Sequence, residues 1–256
     1  MRRLYALLLT LATPFVLTYF GIRGFRDHRY WKRWGERLGW TRAPEGPFDS
    51  LVHAASLGEV NAALPLVKAL LAEDPARRIL VTTFTPTGSQ RVGELLGDRV
   101  AHCYLPLDLP GAIRRFLNRI RPSRVIIVET EIWPNLYAHI QKRDIPMLMA
   151  NARLSRQSVN GYRRFSRLIA PALAGVDRIL AQGGKDARRF VECGAQPDRV
   201  ERAGNLKFDI ELSSTLWETG ELLRAGWGVD RPVLVAGSTH EDDERVLLPA
   251  FLQVLE

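Results

Sequence analysis

The side chains best placed to do chemistry sit just after short apolar runs. Glu59 closes Ser56-Leu57-Gly58-Glu59, directly past the apolar run at 50–56. A first-turn carboxylate there can complement the helix dipole, worth about 0.3–1 kcal/mol. It can equally serve as a general base, kept ionised by the helix N-terminus, with Gly58 letting a substrate approach the backbone. Glu129 and Glu131 end the run RVIIVETE at 124–131. They are expected to face opposite sides, one into a crevice and the other capping the next helix or pairing with an arginine. Arg153 follows a further apolar run, and Lys207 closes Gly204-Asn205-Leu206-Lys207, which brings Asn205 to the same rim. Arg153 and Lys207 are either solvated surface charges or the holders of an anionic substrate. The Thr87-Gly88-Ser89 turn can offer backbone N–H groups to an anion at a helix start.

Other chemistries lack their signatures. No GxGxxG, P-loop or HExxH occurs, so dinucleotide, NTPase and zincin readings have no motif to stand on. His240 with Glu241, Asp242, Asp243 and Glu244 resembles a metal cluster, yet Ser238-x-x-Glu241 also reads as a capping box with acids in the first turn. His53, inside the run at 50–56, reads as a core histidine with satisfied partners. Cys103 and Cys193 form no CxxC, so neither a disulfide framework nor a cysteine zinc site is expected.

The elements that must position these residues follow from hydrophobic periodicity. Strands are predicted at 50–56, 78–84, 100–107, 124–129, 145–150, 177–181 and 200–203. Helices are predicted between them, at 60–71, 89–96, 110–120, 133–142, 155–173 and 185–193. Repeated strand–helix units imply an α/β fold with a doubly wound parallel sheet. The near-continuous apolar run at 124–129 suits a strand covered on both faces. The candidate residues then gather beyond the carboxyl ends of the strands, where ligands bind in such sheets. After 209 the pattern changes. Residues 210–230 read as a helical, mixed-charge connection, and 231–236 with 241–255 as a strand and helix opening a second domain that is cut short. One such unit cannot bury its own apolar faces.

The chain has 256 residues, 46% hydrophobic and 25% charged, which excludes an intrinsically disordered chain. Its net charge of +8 suits nucleic acid, anionic lipid or a phosphorylated substrate. The N-terminus narrows that choice. Residues 4–22 carry no charge, long enough to cross a hydrocarbon core of ~30 Å. A signal peptide and a buried soluble helix are the alternatives to an uncleaved anchor. Arg23, Arg26, Arg29, Lys32, Arg33, Arg37 and Arg42 follow, interleaved with Trp31, Trp34 and Trp40. Beside an anchor such a cluster suits anionic headgroups on the cytoplasmic side rather than nucleic acid. The expected organisation is an anchor at 1–22, a basic juxtamembrane segment at 23–47, a Rossmann-like domain at 48–209, a connection at 210–230 and the start of a second domain at 231–256.

Eight segments, RWGERLG (33–39), SLGEV (56–60), TTFTPTGS (82–89), YLPLDLP (104–110), ETEIWPN (129–135), ANARLS (150–155), GNLKFD (204–209) and GSTHEDDE (237–244), resemble in order those of the 3-deoxy-D-manno-octulosonic acid (Kdo) transferases of Gram-negative bacteria. The resemblance implies a GT-B glycosyltransferase of two Rossmann-like domains with the active site between them. It implies inverting transfer of Kdo from CMP-Kdo to a lipid A precursor at the cytoplasmic face of the inner membrane, with no required metal or cofactor. Carried over by motif, Glu59 is the proton acceptor, and Glu129 and Lys207 stabilise the transition state. Arg153, Asn205 and Glu131 are further substrate-binding candidates. CMP-binding residues are expected in the second domain. The competing class is a non-catalytic, membrane-anchored module that grips anionic lipid.

Overall fold

The computed structural model describes residues 1–209 and 214–255, which divide into two compact units, Met1–Ile210 and Glu211–Glu256. The first unit is built on seven parallel strands: β1 (Ser50–His53), β2 (Ile79–Thr83), β3 (Ala101–Tyr104), β4 (Val125–Val128), β5 (Met147–Ala152), β6 (Arg178–Ala181) and β7 (Val200–Arg202). Their order in the sheet is β3-β2-β1-β4-β5-β6-β7. The chain therefore builds outward in one direction to β3, then crosses back and builds outward in the other. The reversal lies between β1 and β4, where Leu51 pairs with Val125 and His53 with Ile127.

Eight helices belong with this sheet among the described residues: α2 (Trp34–Arg37), α3 (Leu57–Glu73), α4 (Pro86–Leu96), α5 (Pro110–Ile120), α6 (Pro134–Gln141), α7 (Arg156–Arg164), α8 (Ser166–Ala174) and α9 (Gly184–Glu192). A long N-terminal helix, α1 (Arg2–Arg26), precedes them. Alternate strand residues serve opposite faces of the sheet. Val52, Val81 and Ile126 pack with Val60, Val67 and Val92 of α3 and α4. Leu51, Leu80 and Ile127 pack on the other face with Phe116, Leu136 and Phe190 of α5, α6 and α9. Two buried faces require strands apolar on both sides, the pattern that predicted a parallel sheet.

The structure departs from the sequence expectations in four places. The helix expected over 155–173 is two helices that meet at Phe165, which leaves helical geometry at ψ 31°. The apolar helix is longer than expected, ending at Arg26 rather than Ile22. Arg33 and Arg37, expected in a basic segment facing lipid, are folded into the first unit. Arg33 pairs with Glu36, and Arg37 is 4% exposed, its guanidinium lying over the rings of Phe20, Phe84 and Tyr104. Three aromatic faces offset part of the cost of taking that charge from water; burial still pushes the guanidinium pKa down to about 10. In the second unit α10 (Ser214–Trp227) and α11 (Glu241–Leu255) form, but 231–236 joins no strand ladder. A strand is made by its neighbour, and this unit offers none among the described residues. Residues 210–213 of the expected connection lie outside the described residues. At the start of α11, His240 N–H donates to Asp243 Oδ2 at 3.0 Å, so this acidic group caps its own helix.

Candidate active site

The chain leaves β1 through Ala54 and Ala55 and enters α3 at its cap, Ser56. Ser56 Oγ accepts from the Glu59 N–H at 3.4 Å and donates to Glu59 Oε1 at 2.9 Å, while Glu59 Oε2 accepts from the Ala55 N–H at 2.7 Å. This reciprocal cap fixes the Glu59 side chain against the loop after β1. The helix-cap reading and the base reading of Glu59 thus describe one conformation. Each carboxylate oxygen takes one donor and keeps a second lone pair. Burial pushes the Glu59 carboxyl above the usual glutamate range and the charge of Glu131 adds to the rise. The Ala55 N–H, Ser56 and His53 oppose it. Across the loop, α4 begins at Thr85, whose hydroxyl accepts from the Gly88 N–H at 3.1 Å. A Cβ on Gly88 would come within 3.2 Å of the Ser56 backbone, so glycine lets α4 close on the β1–α3 loop. The Gly88 N–H is thereby committed to its own cap.

Beyond β4 the backbone turns sharply. Glu129 has φ 61°, a left-handed conformation that non-glycine residues rarely adopt. Two residues apart on a continuing strand, Glu129 and Glu131 would share a face. The turn at Glu129 separates them instead. Glu129 Oε1 lies 3.4 Å from Lys207 Nζ. Glu131 Oε2 accepts from Trp133 Nε1–H at 2.9 Å and lies 3.9 Å from His53 Nε2. Neither glutamate pairs with an arginine among the described residues.

Within the last residues of β5, Asn151 is also left-handed, at φ 53°, where the pairing with β6 is irregular. Its buried Oδ1 accepts from the Leu206 N–H at 3.1 Å, tying the short 3-10 turn Leu206–Phe208 to the sheet. Asn205 Oδ1 accepts from the Lys207 N–H at 3.0 Å, closing the same turn. Asn205 therefore shapes the backbone that carries Lys207. The Arg153 side chain is exposed and has no partner among the described residues; its carbonyl accepts from the Thr130 hydroxyl.

The structure thus brings Glu59, Glu129, Glu131 and Lys207 to the reversal of the sheet, with Asn205 in support, and leaves Arg153 outside the ion pairs. Two residues at this rim have roles that the sequence reading did not give them. Asn151 holds the Lys207 turn; the visible signal was a polar residue ending the apolar run MLMA. His53, expected to be satisfied, is satisfied on one side only. Its Nδ1 lies 3.2 Å and 3.1 Å from the carbonyl and hydroxyl oxygens of Thr82, whereas Nε2 is buried without a hydrogen-bond partner among the described residues. The rim can accept a proton at a carboxylate and meet an anionic group with a lysine.

Residues 32–210 match the family described as 3-Deoxy-D-manno-octulosonic-acid transferase (kdotransferase). A 3-deoxy-D-manno-octulosonic acid transferase from Haemophilus influenzae is 38% identical over 99% of this chain and 60% of its own length. One from Bordetella pertussis is 37% identical over 78% of this chain and 46% of its own length. The chain thus spans about half to three fifths of these relatives. Among solved structures, a UDP-GlcNAc 2-epimerase from Neisseria meningitidis superposes with TM-score 0.46 at 13% identity, over 70% of this chain and 51% of that one. By the extent of the family match and by identity to its relatives, the chain belongs to the 3-deoxy-D-manno-octulosonic acid transferase family.

Proposed function

We propose that the whole protein transfers Kdo from CMP-Kdo to a hydroxyl of a lipid A precursor, and that this chain supplies the acceptor side of a GT-B active site. The observation that carries the reading is the pairing of Lys207 with Glu129 at 3.4 Å beyond β4, on the rim where Glu59 is capped beyond β1. In a single in-line displacement the acceptor oxygen forms a bond to the anomeric carbon and the bond to the CMP phosphate breaks, its electron pair leaving with CMP. The acceptor proton passes to Glu59, whose raised carboxyl stands nearer neutral pH than an ordinary glutamate. One displacement inverts the anomeric centre and needs one base and no covalent enzyme intermediate. Lys207 meets negative charge on the donor, and Glu129 holds its ammonium in place. Arg153 stands free on the same rim for the anionic acceptor. The reaction takes place at the cytoplasmic face of the inner membrane.

The test is incubation of the whole protein with CMP-Kdo, with and without tetraacylated lipid A precursor, followed by mass spectrometry. Released CMP together with a Kdo-bearing lipid, dependent on the acceptor, is expected. Binding of lipid vesicles without CMP release from the same preparation would leave the non-catalytic anchoring module as the function.

A further inference from the structure

Helix α1 has two faces, and the first unit has taken one of them. Along its inner face Tyr5, Leu9, Val16 and Phe20 are half-buried or buried. Near its start Tyr5 is half-buried and interacts with the buried Asp108 carboxylate, and Arg2 lies in a cleft with Pro134, Ala138 and Arg167. Near its end Phe20 is 8% exposed, its ring 6.0 Å from Tyr30 and 6.2 Å from Phe84, with the Arg37 guanidinium 4.9 Å away. Trp31 Nε1–H donates to the Gly21 carbonyl at 2.8 Å, and the Trp31 ring occupies the space where a Cβ on Gly24 would sit. Docking therefore runs from Tyr5 to Phe20, roughly 22 Å of helix at 1.5 Å per residue. That is most of a hydrocarbon core of ~30 Å. A helix crossing the bilayer with these contacts intact would drag Asp108, Arg37 and Arg167 into hydrocarbon.

The outer face remains apolar and open. Leu4, Leu8, Leu11, Phe15 and Ile22 are each at least half exposed. Thr10, Thr13 and Thr18 turn their hydroxyls back to carbonyls four residues earlier, at 2.7–2.9 Å, and so add little polarity. A helix apolar all round needs an apolar covering on both sides. The protein supplies one side. Residues 1–26 contain no acidic group, and exposed cations stand at both ends: Arg2 and Arg3, then Arg23 and Arg26. Cations at both ends suit two ends resting on the same anionic surface.

We infer that α1 lies in the plane of an anionic bilayer, its outer face sunk below the headgroups and its inner face bound to the first unit, so that both of its ends stay on the side of the catalytic rim. The inference stands on α1 alone and does not depend on the glycosyl-transfer reading. The test places a protease-sensitive peptide tag before Met1 of the otherwise intact chain, expressed in a bacterial host. Inverted and right-side-out inner-membrane vesicles are then treated with external protease. In inverted vesicles the tag and the first unit are both cut; in right-side-out vesicles both are protected. A tag cut in right-side-out vesicles while the first unit survives means that α1 spans, and overturns the inference. A second measurement uses the outer-face variant Leu8→Lys/Phe15→Lys on vesicles of phosphatidylglycerol and phosphatidylcholine. Two outer-face apolar side chains are lost to the bilayer, so vesicle binding falls at least about tenfold while the thermal midpoint of the first unit stays unchanged. Binding that is undiminished, or absent in the unmodified chain, also overturns it.

Discussion

At the residue scale Glu59 is the central group, its carboxyl raised by burial and then by the charge of Glu131. As the proposed base, Glu59 can act only when ionised, so turnover is expected to fall as pH drops through its pKa. Burial and the Glu131 charge both push that pKa above the usual range, which sets the acid limb of the pH–rate profile above the ordinary glutamate value. Glu131→Gln removes the like charge, so Glu59 ionises more readily and the limb moves to lower pH. A limb that stays fixed or moves up contradicts the coupling. Lys207 and Glu129 make the second pair. Lys207→Ala and Glu129→Ala are each expected to lower kcat, and the double variant to lose little beyond the worse single one, because the two act as a unit. Losses that multiply in steady-state kinetics would show two separate roles. Glu59 and Lys207 were legible because each follows an apolar run that had to be a strand. The half-satisfied state of His53 was not, since it depends on Thr82 of the neighbouring strand and on Glu131 beyond β4.

At the scale of elements, the left-handed positions do the aiming. Glu129, just past β4, and Asn151, next to the last residue of β5, have positive φ, and neither is a glycine that would have announced a turn. The sequence therefore located the strand ends but not the directions taken after them. Helix α5 was read to the residue because Pro110 starts it and its apolar spacing runs cleanly to Ile120. The strand expected at 231–236 failed for a different reason, since apolar β-branched residues specify a strand only where a ladder receives them. Asn151→Gly keeps the left-handed backbone but leaves the Leu206 N–H without its acceptor. A stability loss of about 1–3 kcal/mol by urea denaturation is expected, with a fall in kcat as the Lys207 turn loosens. Asn151→Asp keeps an acceptor and is expected to retain most of both. Equal stability for the Gly and Asp variants would show that the turn is held elsewhere.

At the scale of the whole molecule, the apolar N-terminal helix belongs to the architecture of the first unit as well as to its attachment. Removing residues 1–22 strips Phe20 from Phe84 and Arg37. Burial of one such ring is worth about 1.5–3 kcal/mol, so the thermal midpoint of the first unit is expected to fall by several degrees in calorimetry. An unchanged midpoint would mean that α1 contributes nothing to folding. The uncharged run at 4–22 was legible; its docking was not, because its inner and outer faces are equally apolar and only the tertiary partners tell them apart. The central claim, that this rim is the proton-accepting side of a glycosyltransferase, rests on Glu59. Glu59→Gln keeps an acceptor for the Ala55 N–H and a donor for Ser56 Oγ, so the cap of α3 survives and the thermal midpoint holds. The decisive measurement is the rate of CMP release from CMP-Kdo by the Glu59→Gln whole protein in the presence of lipid A precursor. A loss of about 10²–10⁴-fold in a fully folded protein is predicted; retention of more than about a tenth of the activity would contradict the account.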